Sequence, residues 1–185
     1  MTKYQDRPYY VVMFCSRNKD NQNVDGFKQR NRSFLTQKTN DELILEFEAF
    51  VNRGVQGETC RFYRTVNERN INVIKKSLMK HLIDNDDASL VNVEKLIASL
   101  AMKNGTTLTK RWLFDYDGNK EELEHFILSL ESEGIDRELI RYSETPNGYA
   151  VVTERGCDTR YLLEYWQNVS LHRDGMLFYA IKKKV

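Results

Sequence analysis

An apolar run that ends in two aspartates one residue apart is the strongest chemical signal in this chain: Trp112-Leu113-Phe114-Asp115-Tyr116-Asp117-Gly118. Strand side chains alternate between faces, so residues i and i+2 project together. The pattern therefore predicts Asp115 and Asp117 on one face at the end of a strand. Two carboxylates that close repel each other unless water or a divalent cation compensates. Mg²⁺ is usually held by one or two carboxylates together with substrate phosphates. The implied chemistry is nucleotidyl or phosphoryl transfer with Mg²⁺ or Mn²⁺ as cofactor. The competing reading is a plain strand-to-helix turn, where Asp and Gly are favoured and Asp is stabilised near a helix N-terminus.

Three further stretches carry residues suited to a phosphorylated partner. Arg61-Phe62-Tyr63-Arg64-Thr65-Val66-Asn67 places Arg61, Tyr63, Thr65 and Asn67 on one strand face, which suits phosphate contact and base stacking. Arg64 points the other way and supports the fold. Lys110 and Arg111 precede the aspartates as phosphate-facing cations. Thr145-Pro146-Asn147-Gly148 is a hairpin loop, and Asn147 and Gly148 are candidates for close backbone approach by a triphosphate. His81, His125 and His172 show no metal-ligand spacing and read as structural or exposed. Lys182-Lys183-Lys184 reads as a solvated tail. P-loop, GxGxxG and GxSxG motifs are absent from the sequence. The KxDG nucleophile of covalent ligases is missing too, because Asp115 stands where lysine would be needed.

The elements that must position these residues follow from periodicity. Tyr9 to Phe14 reads as a strand, and the polar segment 16–38 as a long mobile loop suited to contacts with a partner. Thr39 and Glu42 form a capping box before a helix with Leu43, Phe47, Phe50 and Val51 on one face. Cys60 to Val66 is a strand. Helices follow on Ile71, Ile74, Leu78 and Leu82, broken at Asn85-Asp86-Asp87, and on Leu90, Val93, Ile97 and Leu100. After the Trp112–Asp117 strand, Asn119 and Glu122 cap a helix carrying Leu123, Phe126, Ile127 and Leu130, closed by Gly134. Ile140–Ser143 and Tyr149–Thr153 form a hairpin signalled by Asn147-Gly148. Asp158 caps a helix with Tyr161, Leu162, Tyr165 and Trp166, and Met176–Ile181 is a last strand. The predicted class is α+β: a ferredoxin/RRM-like βαββαβ core over about residues 110–182, one sheet face covered by helices and one open, with an N-terminal β-α-β-α-α extension.

The 185 residues fit one domain, divided into an extension (1–57) and a core (58–185). With 41% hydrophobic and 30% charged residues, the balance is that of a soluble protein, and a net charge of +1 requires any nucleic-acid site to be a local patch. Cys15, Cys60 and Cys157 are far apart and odd in number, with no CxxC spacing, which argues against a disulfide framework or zinc site and points to reduced thiols in the cytoplasm. Residues 1–7 lack the apolar core of a signal peptide, and no apolar run reaches membrane-span length.

The stretches Arg61–Asn67, Trp112–Asp117 and Thr145-Pro146-Asn147-Gly148-Tyr149 resemble the catalytic core of the archaeo-eukaryotic primase (primase–polymerase) superfamily, in a form seen in small phage-encoded proteins. The resemblance covers roughly residues 58–182. It implies template-directed nucleotide addition, with Asp115 and Asp117 as catalytic, metal-binding residues and Arg61, Tyr63, Asn67, Lys110, Asn147 and Gly148 on the nucleotide or nucleic acid. A second motif of the family carries a histidine where Ala150 stands here. A third carries an acid on the last strand, where Met176-Leu177-Phe178-Tyr179 has none and Asp174 is the nearest substitute metal ligand. The resemblance also implies an alternative: a catalytically inactive phage module that binds nucleic acid or a host protein. A DxD phosphatase of the haloacid-dehalogenase type needs a parallel sheet, and the Asn147-Gly148 hairpin argues against one.

Overall fold

Two four-stranded antiparallel sheets are covered by five α-helices among the described residues. The computed structural model describes residues 7–85 and 89–185. In chain order the elements are β1 (Tyr10–Ser16), β2 (Arg30–Thr36), α1 (Asn40–Asn52), β3 (Thr59–Thr65), α2 (Ile71–Asp84), α3 (Val93–Ala101), β4 (Trp112–Tyr116), α4 (Lys120–Ser132), β5 (Ile140–Thr145), β6 (Gly148–Thr153), α5 (Arg160–Tyr165), β7 (Val169–His172) and β8 (Met176–Lys183). They form two compact units. The first takes residues up to Arg64, Glu68–Leu108 and Phe178–Val185; the second takes Thr65–Asn67 and Thr109–Leu177. None of the helices described is long and apolar enough to cross a membrane.

In the first unit the strand order is β2-β1-β3-β8. One face carries Val12, Phe14, Phe34, Cys60 and Phe62, buried against Leu43, Phe47, Phe50 and Val51 of α1. The other carries Val11, packed with Ile74 of α2 and Ala98 and Ala101 of α3. The helix signals act as their residue types require. Thr39 and Glu42 make the reciprocal capping box of α1. At its far end Lys184 Nζ donates to the carbonyls of Asn52 and Gly54, each at 2.7 Å. That gives a cation a capping place at the negative helix terminus.

In the second unit the order is β5-β6-β4-β7, every neighbour antiparallel. Phe114 and Tyr116 of β4 and Tyr149 and Val151 of β6 meet Leu123, Phe126, Ile127 and Leu130 of α4 and Leu162 of α5. Gly134, with φ of 85°, ends α4: Ile135 N–H donates back to Leu130 O (3.1 Å) and Gly134 N–H to Glu131 O (2.9 Å). These are the paired bonds of a glycine-terminated helix.

Several expectations need correction. Met176–Ile181 does not complete the sheet of β4; β8 flanks β3, and the neighbour of β4 is β7. That strand is only four residues long with Val169 alone buried, too short a pattern to register as a strand. Segment 16–38 is not a loop throughout, since it contains β2. Its start is pinned by Asn21, whose amide donates to Ser16 Oγ, Arg17 O and Thr59 O and accepts from Thr59 N–H. The division at 57/58 is not where the units part, because β3 belongs to the first sheet. The second face of the β4 sheet is not fully open: Leu113 and Ala150 are buried there with Val66 and Leu177. The helix break at Asp86-Asp87 and the leader reading of residues 1–6 lie outside the described residues.

Asn67 is the polar tie of the second unit. Its Nδ2 donates to Arg111 O (3.0 Å), Arg173 O (3.3 Å) and Asp174 Oδ1 (3.2 Å), and its Oδ1 accepts from Arg111 N–H (2.7 Å) and Thr109 Oγ1 (2.9 Å). The residue is 1% exposed, so deleting the amide leaves buried groups unpaired. Asn67→Ala is expected to cost about 2–4 kcal/mol in urea unfolding. Leu128→Ala, at an exposed position on α4, should stay within about 0.5 kcal/mol.

Candidate functional site: the acid pair of the central strand

Burial of Phe114 and Tyr116 against α4 forces Asp115 onto the second face of the sheet. There it stands opposite Ala150 of β6 and Ser170 of β7. Asp115 is partly buried, and its carboxylate makes no hydrogen bond or ion pair with any described residue. Asp117 is not on the strand, which ends at Tyr116. It is exposed, in the turn that leads to α4. Its N–H donates to Asn168 O (2.9 Å), and its carbonyl accepts from Asn168 Nδ2 (3.0 Å). Strand alternation therefore does not place it. The two charges still interact: burial pushes the Asp115 carboxyl above its usual range, the Asp117 charge pushes it further, and His172 on β7 opposes them.

This direction sets Asp115 apart. Asp20, Glu42, Glu46, Glu58, Glu124 and Asp158 are all held below the ordinary range. For Asp20 burial pushes upward, but hydrogen bonds from Arg17 and Arg61 outweigh it. For Asp158 the Arg160 guanidinium brings the carboxyl down to about 2. Among the described residues Asp115 is the one carboxylate whose shift runs the other way.

The hairpin closes on this turn. Thr145 pairs with Gly148, so Pro146 and Asn147 form the two-residue tip. Neither has positive φ, so the tip is a proline-led turn and not the left-handed turn that Asn-Gly signals. Gly148 is present for space. A Cβ there would sit 2.1 Å from Tyr116 O, 2.8 Å from Gly118 N and 3.1 Å from Asp117 Cα. The glycine lets β6 approach the Asp117 turn, a packing role that the sequence pattern alone did not indicate. Asn147 is exposed at the tip.

The structure thus gathers Asp115, Asp117, Asn147 and Gly148 at one end of one sheet. Of the other expected residues of this unit, Lys110, Asn67 and Asp174 are not gathered there. Lys110 is exposed and precedes β4, at the end remote from Asp117. Asp174 lies beyond His172, which pairs with Leu113, and so also stands toward the start of β4, bonded to Asn67. Asn67 is buried and its amide engaged as described. Arg61 and Tyr63 belong to the first unit. Arg61 donates through Nε (2.8 Å) and Nη2 (2.7 Å) to Asp20, which Arg17 also holds. Tyr63 packs edge-on against Phe178. Arg64 lies 3.6 Å over the Tyr10 ring and donates to Asn40. Among the described residues no three His, Cys, Asp or Glu side chains are grouped to hold a metal ion. Asn168, Ser170 and His172 are the neighbours that sequence reasoning missed, because β7, which bears the last two and follows Asn168, was not recognised.

No family model matches this chain, and neither a curated protein nor a solved structure matches it significantly.

A carboxyl whose folded-state value is raised favours folding only while it is protonated, and that contribution fades as pH rises through the raised value. At neutral pH Asp115 therefore opposes folding. Asp115→Asn is expected to raise Tm at pH 7, and the gain should shrink toward pH 3, as followed by circular dichroism.

Proposed function

We propose that this chain binds a nucleotide or nucleic acid through a divalent cation, Mg²⁺ or Mn²⁺, held by Asp115 and Asp117. The observation that carries the reading is the Asp115 carboxylate: partly buried, raised by the Asp117 charge, opposed by His172, and given no hydrogen bond or ion pair by the described residues. The donor set is oxygen only, which suits a hard cation. Such an ion would neutralise the pair and polarise a phosphate. The chain's own contribution is position. Asn168 fixes the backbone of Asp117, Gly148 lets the hairpin close beside it, and Ser170 and Asn147 offer polar groups nearby.

The strand order β5-β6-β4-β7, with α4 and α5 as crossings, supports a ferredoxin/RRM-like arrangement over β4 to β7 and with it a primase-like ancestry. Within that reading a role without transfer is favoured over nucleotidyl transfer. Ala150 pairs with Asp115 and supplies no imidazole, and Asp174 is engaged by Asn67. The antiparallel sheets count against a haloacid-dehalogenase-type phosphatase. Cys15, Cys60 and Cys157 are unpaired, which supports a reducing, cytoplasmic setting. Host-protein binding by a phage-type module stands as the remaining reading.

Binding of labelled ATP and of a single-stranded oligonucleotide should be titrated with Mg²⁺, with Mn²⁺ and with EDTA. The wild type is expected to lose affinity about tenfold or more without cation, and the Asp115→Asn/Asp117→Asn variant to match that loss with cation present. Equal binding by both proteins, with and without cation, would remove the reading.

A further inference from the structure

The helix-covered side of the second unit carries a groove unrelated to the acid pair. It lies between the C-terminal half of α4 and α5, encloses about 200 Å³, and is lined by Ser129, Ser132, Glu133, Tyr161, Tyr165 and Trp166. Tyr161 and Tyr165 are four residues apart on one face of α5 and are 73% and 79% exposed. Tyr165 stands edge-on to Trp166, with ring centroids 5.4 Å apart. Trp166 is held in turn by Phe126 and by its indole N–H donated to Ser129 Oγ (3.2 Å). Trp166 is therefore mounted on the core, and Tyr165 is packed against it.

Acidic side chains predominate on the neighbouring helix α4. Helix α4 carries one lysine against four glutamates, and Glu133 follows it at the groove. The arginines of the surrounding surface are already engaged: Arg137 with Glu124 and Glu131, Arg160 with Asp158, and Arg155 with Gly134 O. The Glu133 carboxylate has no hydrogen bond or ion pair with a described residue. Its field reaches Cys157 nearby, where burial raises the thiol and the charges of Glu133 and Asp158 raise it further.

We propose that this groove docks a basic peptide segment of a partner protein, a lysine or arginine side chain lying against the Tyr161 and Tyr165 rings with its charge on Glu133. Exposed aromatic faces beside an unpaired carboxylate are what a guanidinium or ammonium group recognises. The same acidic surroundings disfavour stacked nucleic acid, whose phosphates would meet Glu133 and the glutamates of α4.

The test uses the full chain, an acetylated oligo-arginine peptide and an oligo-glutamate peptide, with Trp fluorescence and NMR shifts read at low salt. Oligo-arginine should bind and oligo-glutamate should not. Glu133→Gln and Tyr165→Ala should each weaken binding about threefold, and the pair about tenfold. Tyr165→Phe, which keeps the ring, and Glu144→Gln, on β5 and outside the groove, should leave affinity unchanged. Absence of oligo-arginine binding would overturn the proposal. So would binding indifferent to Glu133→Gln and Tyr165→Ala, or oligothymidine binding that Tyr165→Ala abolishes.

Discussion

Strand alternation on β4 is the constraint from which the second unit follows. Phe114 and Tyr116 must face α4, because they meet Phe126 and the rest of its buried stripe. With those two committed, Asp115 has only the other face, between strands on both sides. A register slip would bury the carboxylate among aromatic rings, so the apolar core fixes where the charge stands. The charge stays there although burial and Asp117 both raise its cost. A stability-driven sequence would place Asn or Thr at that position, and local rules tend to be broken where a site is built.

Several other partly buried acids of the chain are neutralised. Asp20 has two guanidiniums, Glu58 has Arg30, and Glu46 has Arg32 and Lys38. Cys60, beside Glu58, is pushed up to about 11 by burial and by that carboxylate, which keeps it an inert thiol at neutral pH. The contrast gives the raised Asp115 carboxyl its weight. The surroundings of the pair are also built closely. The hairpin approaches so near the Asp117 turn that Gly148 has no room for a methyl group, and Asn67 secures the opposite end of β4 through five hydrogen bonds.

What the sequence disclosed tracks how local each signal is. The capping box at Thr39 and Glu42, the stripes of α1 and α4, the glycine stop at Gly134 and the hairpin at residues 140–153 depend on neighbours within a few residues, and all are present. The misplaced features depend on distant partners. β7 is a four-residue strand defined by β4, and β8 leaves for another sheet. Arg61 looked free for phosphate because its occupant, Asp20, is remote in sequence. Asn67 looked like a surface amide because Arg111, Arg173 and Asp174 are further still. The acid pair stands out in the sequence as two carboxylates one residue apart. Its geometry was not legible there, since Asp117 leaves the strand and only the turn brings it beside Asp115.

The most direct measurement is a site-resolved NMR titration of the Asp115 side-chain carboxyl, with and without Mg²⁺. The account predicts a midpoint above the ordinary aspartate range in the metal-free protein, falling when Mg²⁺ is added. A midpoint at or below that range, unmoved by the cation, would contradict it.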